Sequence, residues 1–99
     1  MEKTMNFGEA IAALKQGKKV SRMGWNGKGM YLFLIESYYC YDQETVEKIG
    51  ECAFWDDELK KDVVEILPSI AMRTADKKLL IGWLASQTDM LSEDWVIVE

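Results

Sequence analysis

Phe7, Ala10, Ile11 and Leu14 recur at three- and four-residue spacing between Asn6 and Gln16, which predicts an amphipathic helix with one apolar face. Asn6 is placed to cap it, and Glu9 at the third helical position completes a capping-box pattern. Gly17 ends the helix, with Lys15 and Lys18 near the negative end of its dipole. The period then shortens. Lys19 to Arg22 is a strand with Val20 pointing inward, and Gly24-Trp25-Asn26-Gly27-Lys28-Gly29 holds the Asn-Gly pair that marks a hairpin, because both residues tolerate positive φ. Met30 to Ile35 has almost no polar residue and is predicted as a central strand covered on both faces.

Residues 36–67 are less regular. Asp42 to Ile49 reads as a helix, Gly50 interrupts it, and Asp56 to Lys61 predicts a second helix with acids at its start and lysines at its end. Val63 to Leu67 is compatible with an extended segment, and Pro68 breaks the pattern. Beyond it, Ile70 to Thr74 is a strand with Ile70 and Met72 on one face and Ala71 and Arg73 on the other. Asp76-Lys77-Lys78 is a turn, Leu79 to Ile81 a strand, and Ser86 starts a short helix. Trp95 to Val98 is the last strand, with Trp95 assigned to the core. This order predicts an α+β protein: an antiparallel β-sheet with an N-terminal helix, a helical middle insert and a short helix before the last strand. Residues 1–99 form a single domain, with 36–67 as the insert.

Charge sharpens this picture. The net charge of −5 over 99 residues argues against general binding to DNA or RNA. Five cations and no acid lie between Ala10 and Met30, whereas ten acids face three lysines between Glu36 and Glu65. A local anion site on an acidic protein fits that asymmetry; so does charge pairing between subunits. A domain this small has little surplus stability, so self-association would help it. No stretch is apolar enough to span a membrane, the N-terminus lacks an apolar signal core, and Cys40 and Cys52 lack metal-ligand companions. The expectation is a cytoplasmic protein with reduced thiols, no metal and no cofactor.

Candidate chemistry centres on two tryptophan-anchored polar segments. Between Trp83 and Trp95 lies Ser86-Gln87-Thr88-Asp89, whose spacing is that of a capping box and whose side chains also suit hydrogen bonding to a ligand. The loop Trp25-Asn26-Gly27-Lys28 offers an indole, a lysine and accessible backbone N–H groups. With no histidine and no persuasive nucleophile–base pair, such a pocket is expected to bind, not to react. The adjacent acids Glu93 and Asp94 read as a solvated turn. Indole faces stack on nucleobases at about 1–3 kcal/mol each in single-strand systems, and Asp89 is suited to accept from a ribose hydroxyl or an exocyclic amine.

Asn6-Phe7-Gly8-Glu9-Ala10, Gly24 to Met30, Met72-Arg73-Thr74-Ala75-Asp76, Trp83 to Leu91 and Glu93-Asp94-Trp95, in this order, resemble the Thoeris anti-defence 2 family of small phage and prophage proteins. The resemblance implies a non-enzymatic sponge for the cyclic ADP-ribose isomer that Thoeris TIR proteins make from NAD, acting in the host bacterial cell. It implies a homotetramer with pockets between subunits, and in some members a second site for cyclic dinucleotides. Carried over by position, the ligand-binding candidates are Trp25, Asn26, Gly27, Lys28, Trp83, Ser86, Gln87, Thr88 and Asp89, with Arg73 and Thr74 as additions. Residues 36–67 depart from the pattern, in a region that varies in the family. The alternative reading, from Tyr38, Tyr39, Tyr41 and the acidic insert, is a protein-interaction module that inhibits a host effector directly.

Overall fold

The computed structural model describes residues 3–25 and 28–99, which fold as two compact units, one from the N-terminus to Ile35 plus Ser69–Glu99 and the other Glu36–Pro68. The first unit carries a five-stranded antiparallel sheet. Its strands are β1 (Lys19–Arg22), β2 (Tyr31–Ile35), β6 (Ser69–Arg73), β7 (Leu79–Ile81) and β8 (Trp95–Val98), in the order β7-β6-β2-β1-β8. Helix α1 (Phe7–Lys15) packs on β1, β2 and β8, and the short α3 (Gln87–Leu91) packs on α1.

The N-terminal helix forms as its pattern predicts. Asn6 Oδ1 accepts the Glu9 N–H at 2.8 Å, and Glu9 Oε1 accepts the Asn6 N–H at 3.0 Å, so two of the helix's unpaired donors are satisfied reciprocally. Ala10, Ala13 and Leu14 are buried against Val20, Leu32, Met72 and Trp95. Burying each large aliphatic contributes about 1.5–3 kcal/mol. Register follows from the same requirement. Val20 stands opposite Leu32 and Ile97, and Leu32 opposite Met72, so one face of the sheet meets α1. Strand β2 is central, as expected, but of its residues only Leu32 is fully buried; the others are half-buried, because the helix covers one face. Ile70 and Met72 lie on the α1 side, and Ala71 and Arg73 alternate to the other, where the small Ala71 is nevertheless fully buried.

The second unit is a three-stranded antiparallel sheet in the order β3-β5-β4, made of β3 (Tyr38–Cys40), β4 (Phe54–Asp56) and β5 (Lys61–Ile66). Helix α2 (Gln43–Lys48), capped by Asp42 through the Thr45 N–H at 3.0 Å, lies between β3 and β4 in sequence. Residues 56–61, predicted as a second helix, are instead the end of β4, a turn and the start of β5. The Asp56 carboxylate accepts the Leu59 N–H at 2.9 Å, its carbonyl accepts the Lys60 N–H at 2.8 Å, and Lys60 takes φ +57°. Side chain-to-backbone bonding of this kind lets an aspartate compete with helix formation. The aromatic pair Phe54-Trp55 favours the strand and pairs with Val63 and Asp62.

The insert leaves and rejoins the main sheet at one point, since Ile35, the last residue before it, is the cross-strand partner of Ser69, the first after it. No helix among the described residues is long and apolar enough to cross a membrane.

Candidate functional site

Three tryptophans meet at the α1 side of the main sheet. Trp95 opens β8, is fully buried, and exchanges backbone hydrogen bonds with Met5 at 2.7 and 3.2 Å. Trp25 and Trp83 are half-buried and pack edge-on to it, with ring centroids 5.4 and 6.3 Å away and 6.3 Å from each other. Trp83 is held at its backbone, whose N–H donates to the Ile70 carbonyl at 2.8 Å. One tryptophan is therefore structural support, and the other two present surface.

Asp89 ties this cluster together. Its Oδ1 accepts from Arg22 Nη1 at 2.8 Å and from the Trp25 indole at 3.3 Å. Its Oδ2 accepts from the Ser86 hydroxyl at 2.9 Å and from the Ser86 N–H at 3.1 Å, and its carbonyl accepts the Trp95 indole N–H at 3.0 Å. Ser86 returns the bond by accepting the Asp89 N–H at 3.1 Å, so the capping box expected from the sequence is present. Arg22 reaches further. Its Nε donates to Asp94 Oδ1 at 2.9 Å, and Asp94 Oδ2 accepts the Gly24 N–H at 2.8 Å. A Cβ at Gly24 would lie 2.9 Å from the Asp94 oxygen, so a larger residue there would press on that carboxylate.

These contacts set the charges. Burial pushes the Asp89 carboxyl up, but hydrogen bonds from Arg22, Ser86 and Trp25 outweigh it and hold the group below the usual aspartate range. The Arg22 hydrogen bond does the same for Asp94, against a smaller opposing effect of burial, with help from the Gly24 N–H. Arg22 is in turn raised by hydrogen bonds to Asp94 and Asp89. All three groups stay charged and paired.

The structure brings Trp25, Trp83, Ser86 and Asp89 into one cluster, with Gln87 and Thr88 exposed on the first turn of α3. Asp89 serves there as an internal brace, its carboxylate already accepting four hydrogen bonds from the protein. Lys28 is exposed in the loop after Trp25, whereas Asn26 and Gly27 lie outside the described residues. Arg73 and Thr74 belong elsewhere. Arg73 donates to the Gly29 carbonyl at 2.8 Å and lies over the Tyr31 ring, which Lys19 also approaches, on the sheet face away from Met72. The Thr74 hydroxyl closes the β6–β7 turn by accepting the Lys78 N–H at 2.9 Å and donating to Asp76. A hollow of about 700 Å³ opens along β1 and β8, between Ser21, Met23, Val96 and Val98, and none of the tryptophans lines it.

Sequence reasoning passed over Arg22 and Asp94. Asp94, expected as part of a solvated turn, is an ion-pair partner instead. The only signal was that Arg22 closes a strand inside the basic N-terminal segment, while its partners lie 67 and 72 positions away.

Fold and site thus define a small α+β protein in which a charge-locked tryptophan cluster joins the β1–β2 loop to the helix before the final strand. The chain belongs to the family described as having a Thoeris anti-defense 2-like domain, whose model matches residues 5–98. It is 42% identical to Thoeris anti-defense 2 of Bacillus phage SP01 over 101 aligned positions, covering 99% of each chain. Family membership places it among anti-defence proteins.

Proposed function

We propose that this protein blocks Thoeris defence by capturing its cyclic ADP-ribose signal, or a related cyclic nucleotide, without cleaving it. The observation that carries this reading is the half-buried Trp25–Trp83 pair, in which the Trp25 indole N–H is held by Asp89 of α3, the helix whose first turn also carries the exposed neutral donors Gln87 and Thr88. An indole face suits a purine, and neutral amide and hydroxyl groups suit ribose and phosphate oxygens. The carboxylates of the cluster support binding over reaction, since both are held charged in ion pairs with Arg22.

Capture removes one signal molecule per site and needs tight binding, about −12 kcal/mol for a nanomolar site. Affinity of that order is reached when the site is ordered before the ligand arrives. The Arg22–Asp89–Asp94 brace supplies that order within one chain. A second copy completing the pocket is supported by the edge strand β7, where Leu79, Leu80 and Ile81 are each about half exposed beside unpaired backbone. The site of action under this reading is the host cytoplasm, where the signal is made.

The test is recovery. Purified protein is mixed with the cyclic ADP-ribose isomer and separated from free ligand, then denatured, and the released small molecule is identified. Intact release is expected, with a cyclic dinucleotide assayed in parallel as a second ligand. A linear product would make the protein an enzyme, and failure to retain any cyclic nucleotide would refute capture.

A further inference from the structure

We infer that the insert, residues 36–68, is a docking surface for a positively charged segment of another protein, an interaction that goes beyond signal capture and does not depend on it. The first ground is a mismatch between what the unit buries and what it leaves out. Its fully buried side chains are three valines, Val46, Val63 and Val64. Tyr38, Tyr39, Tyr41, Phe54 and Trp55 remain 45–56% exposed. Aromatic side chains carry the largest apolar area available to a fold, and five left exposed around three buried valines mark an interaction surface.

Strand register divides four of these rings between the two sides of the small sheet. On one side of the small sheet, Phe54 stands opposite Val63 and Tyr39 opposite Glu65, and the Tyr39 and Phe54 rings meet edge-on at 6.1 Å. On the other side, Trp55 stands opposite Asp62, and Tyr38 opposite Ile66. The Trp55 indole N–H donates to Asp57 at 3.0 Å, which fixes the ring while it stays exposed.

The second ground is charge, which identifies the partner. Residues 36–68 hold ten acids and three lysines, a net charge of −7, while the rest of the chain is net positive. Rings with carboxylates beside them attract ammonium and guanidinium groups, through the negative π face and the neighbouring acids together. One such contact already exists within the unit, where Lys61 Nζ lies 5.3 Å from the Tyr41 centroid. A lysine- or arginine-rich segment is therefore the complement in both charge and chemistry.

The full-length protein is titrated with octa-arginine, and with octaglutamate as control, while backbone amides are followed by NMR. Shifts are expected at 38–41 and 54–57 with octa-arginine only. Trp55→Ala, which leaves the net charge unchanged, is expected to weaken binding about two- to fivefold, the range of an exposed cation–π contact. Tyr39→Ala gives a second, independent reading should Trp55→Ala disturb the sheet, and Trp55→Phe should retain most of the affinity. Binding that ignores both ring deletions would reflect net charge alone and would overturn the proposal. So would shifts at 38–41 and 54–57 that track protein concentration without peptide, since a second copy would then cover the surface. Cyclic-nucleotide retention by the same variants is expected to be unchanged, which keeps this test separate from that of signal capture.

Discussion

Arg22 Nη1 lies 2.8 Å from Asp89 Oδ1, and this contact ties the end of strand β1 to helix α3 across 67 positions of sequence. Both side chains are largely shielded from solvent, and the same guanidinium also holds Asp94. Replacing Arg22 by Gln would leave two carboxylates close together without their cation. The expected loss of stability is about 1–3 kcal/mol, the range for losing charged hydrogen bonds. Urea unfolding of the variant checks it, and cyclic-nucleotide retention should fall as well, because Trp25 shares the Asp89 oxygen.

Acid sensitivity follows from the same triad. Asp89 and Asp94 are both held below the ordinary aspartate value of about 3.9. Depressed folded-state values mean that the stabilisation is complete above the unfolded value and is lost as pH falls through the folded ones. Unfolding free energy is therefore expected to be insensitive to these two groups between pH 5 and 7 and to drop below roughly pH 4. The Arg22→Gln variant should show a shallower acid drop, since the pairing that separates the two states is gone.

The three tryptophans should separate by role. Trp95→Ala removes a fully buried ring and is expected to cost about 3–5 kcal/mol of stability. Trp25→Ala and Trp83→Ala remove half-buried rings, and each is expected to weaken ligand retention by about 1–3 kcal/mol where the ring stacks on a base, with the fold retained. Circular dichroism alongside retention assays distinguishes the two outcomes. Equal loss of fold in all three variants would make the cluster purely structural.

Gly29 and Gly17 form a matched pair for isolating a side-chain clash. Both have positive φ, +79° and +84°. A Cβ on Gly29 would lie 2.9 Å from Arg73 Nη1, whereas one on Gly17 would meet nothing within 4 Å. Gly17→Ala should therefore show the backbone cost alone, about 1–2 kcal/mol. Gly29→Ala should lose more, because Arg73 must also give up its bond to the Gly29 carbonyl. Thermal melts of the two variants give the difference directly.

The parts of the fold that were legible in the sequence are those written in local spacing. Asn6 and Glu9, or Ser86 and Asp89, are three residues apart, and the capping bond between them forms within that span. The Val20 register likewise follows from alternation. Asp56 misled because an acid before a run ending in lysines suits both a helix start and a turn, and only the pairing of Phe54 with Val63 decides between them. The site was half legible for the same reason. Trp25, Trp83 and Ser86 announce themselves by residue type, but Asp89 looks like a ligand contact until Arg22 and Trp25 are placed on it. Arg73 travelled with them in the sequence, yet strand alternation sends it to the opposite face.

Ile35 and Ser69 are cross-strand partners, so everything between them hangs from a single rung of the ladder. In terms of chain connectivity, β2 and β6 already stand as a hairpin whose loop happens to be 33 residues long. Lengthening such a loop costs only about 0.6 kcal/mol per doubling, so its contents are nearly free to be exchanged. A chain in which a two-residue Asn-Gly turn replaces 36–68 should therefore keep the five-stranded sheet, the tryptophan cluster and its Arg22 brace. Ligand retention by that shortened chain is the measure. The insert is in effect a cassette in a socket, whose contents can be exchanged without rebuilding the sheet that carries it.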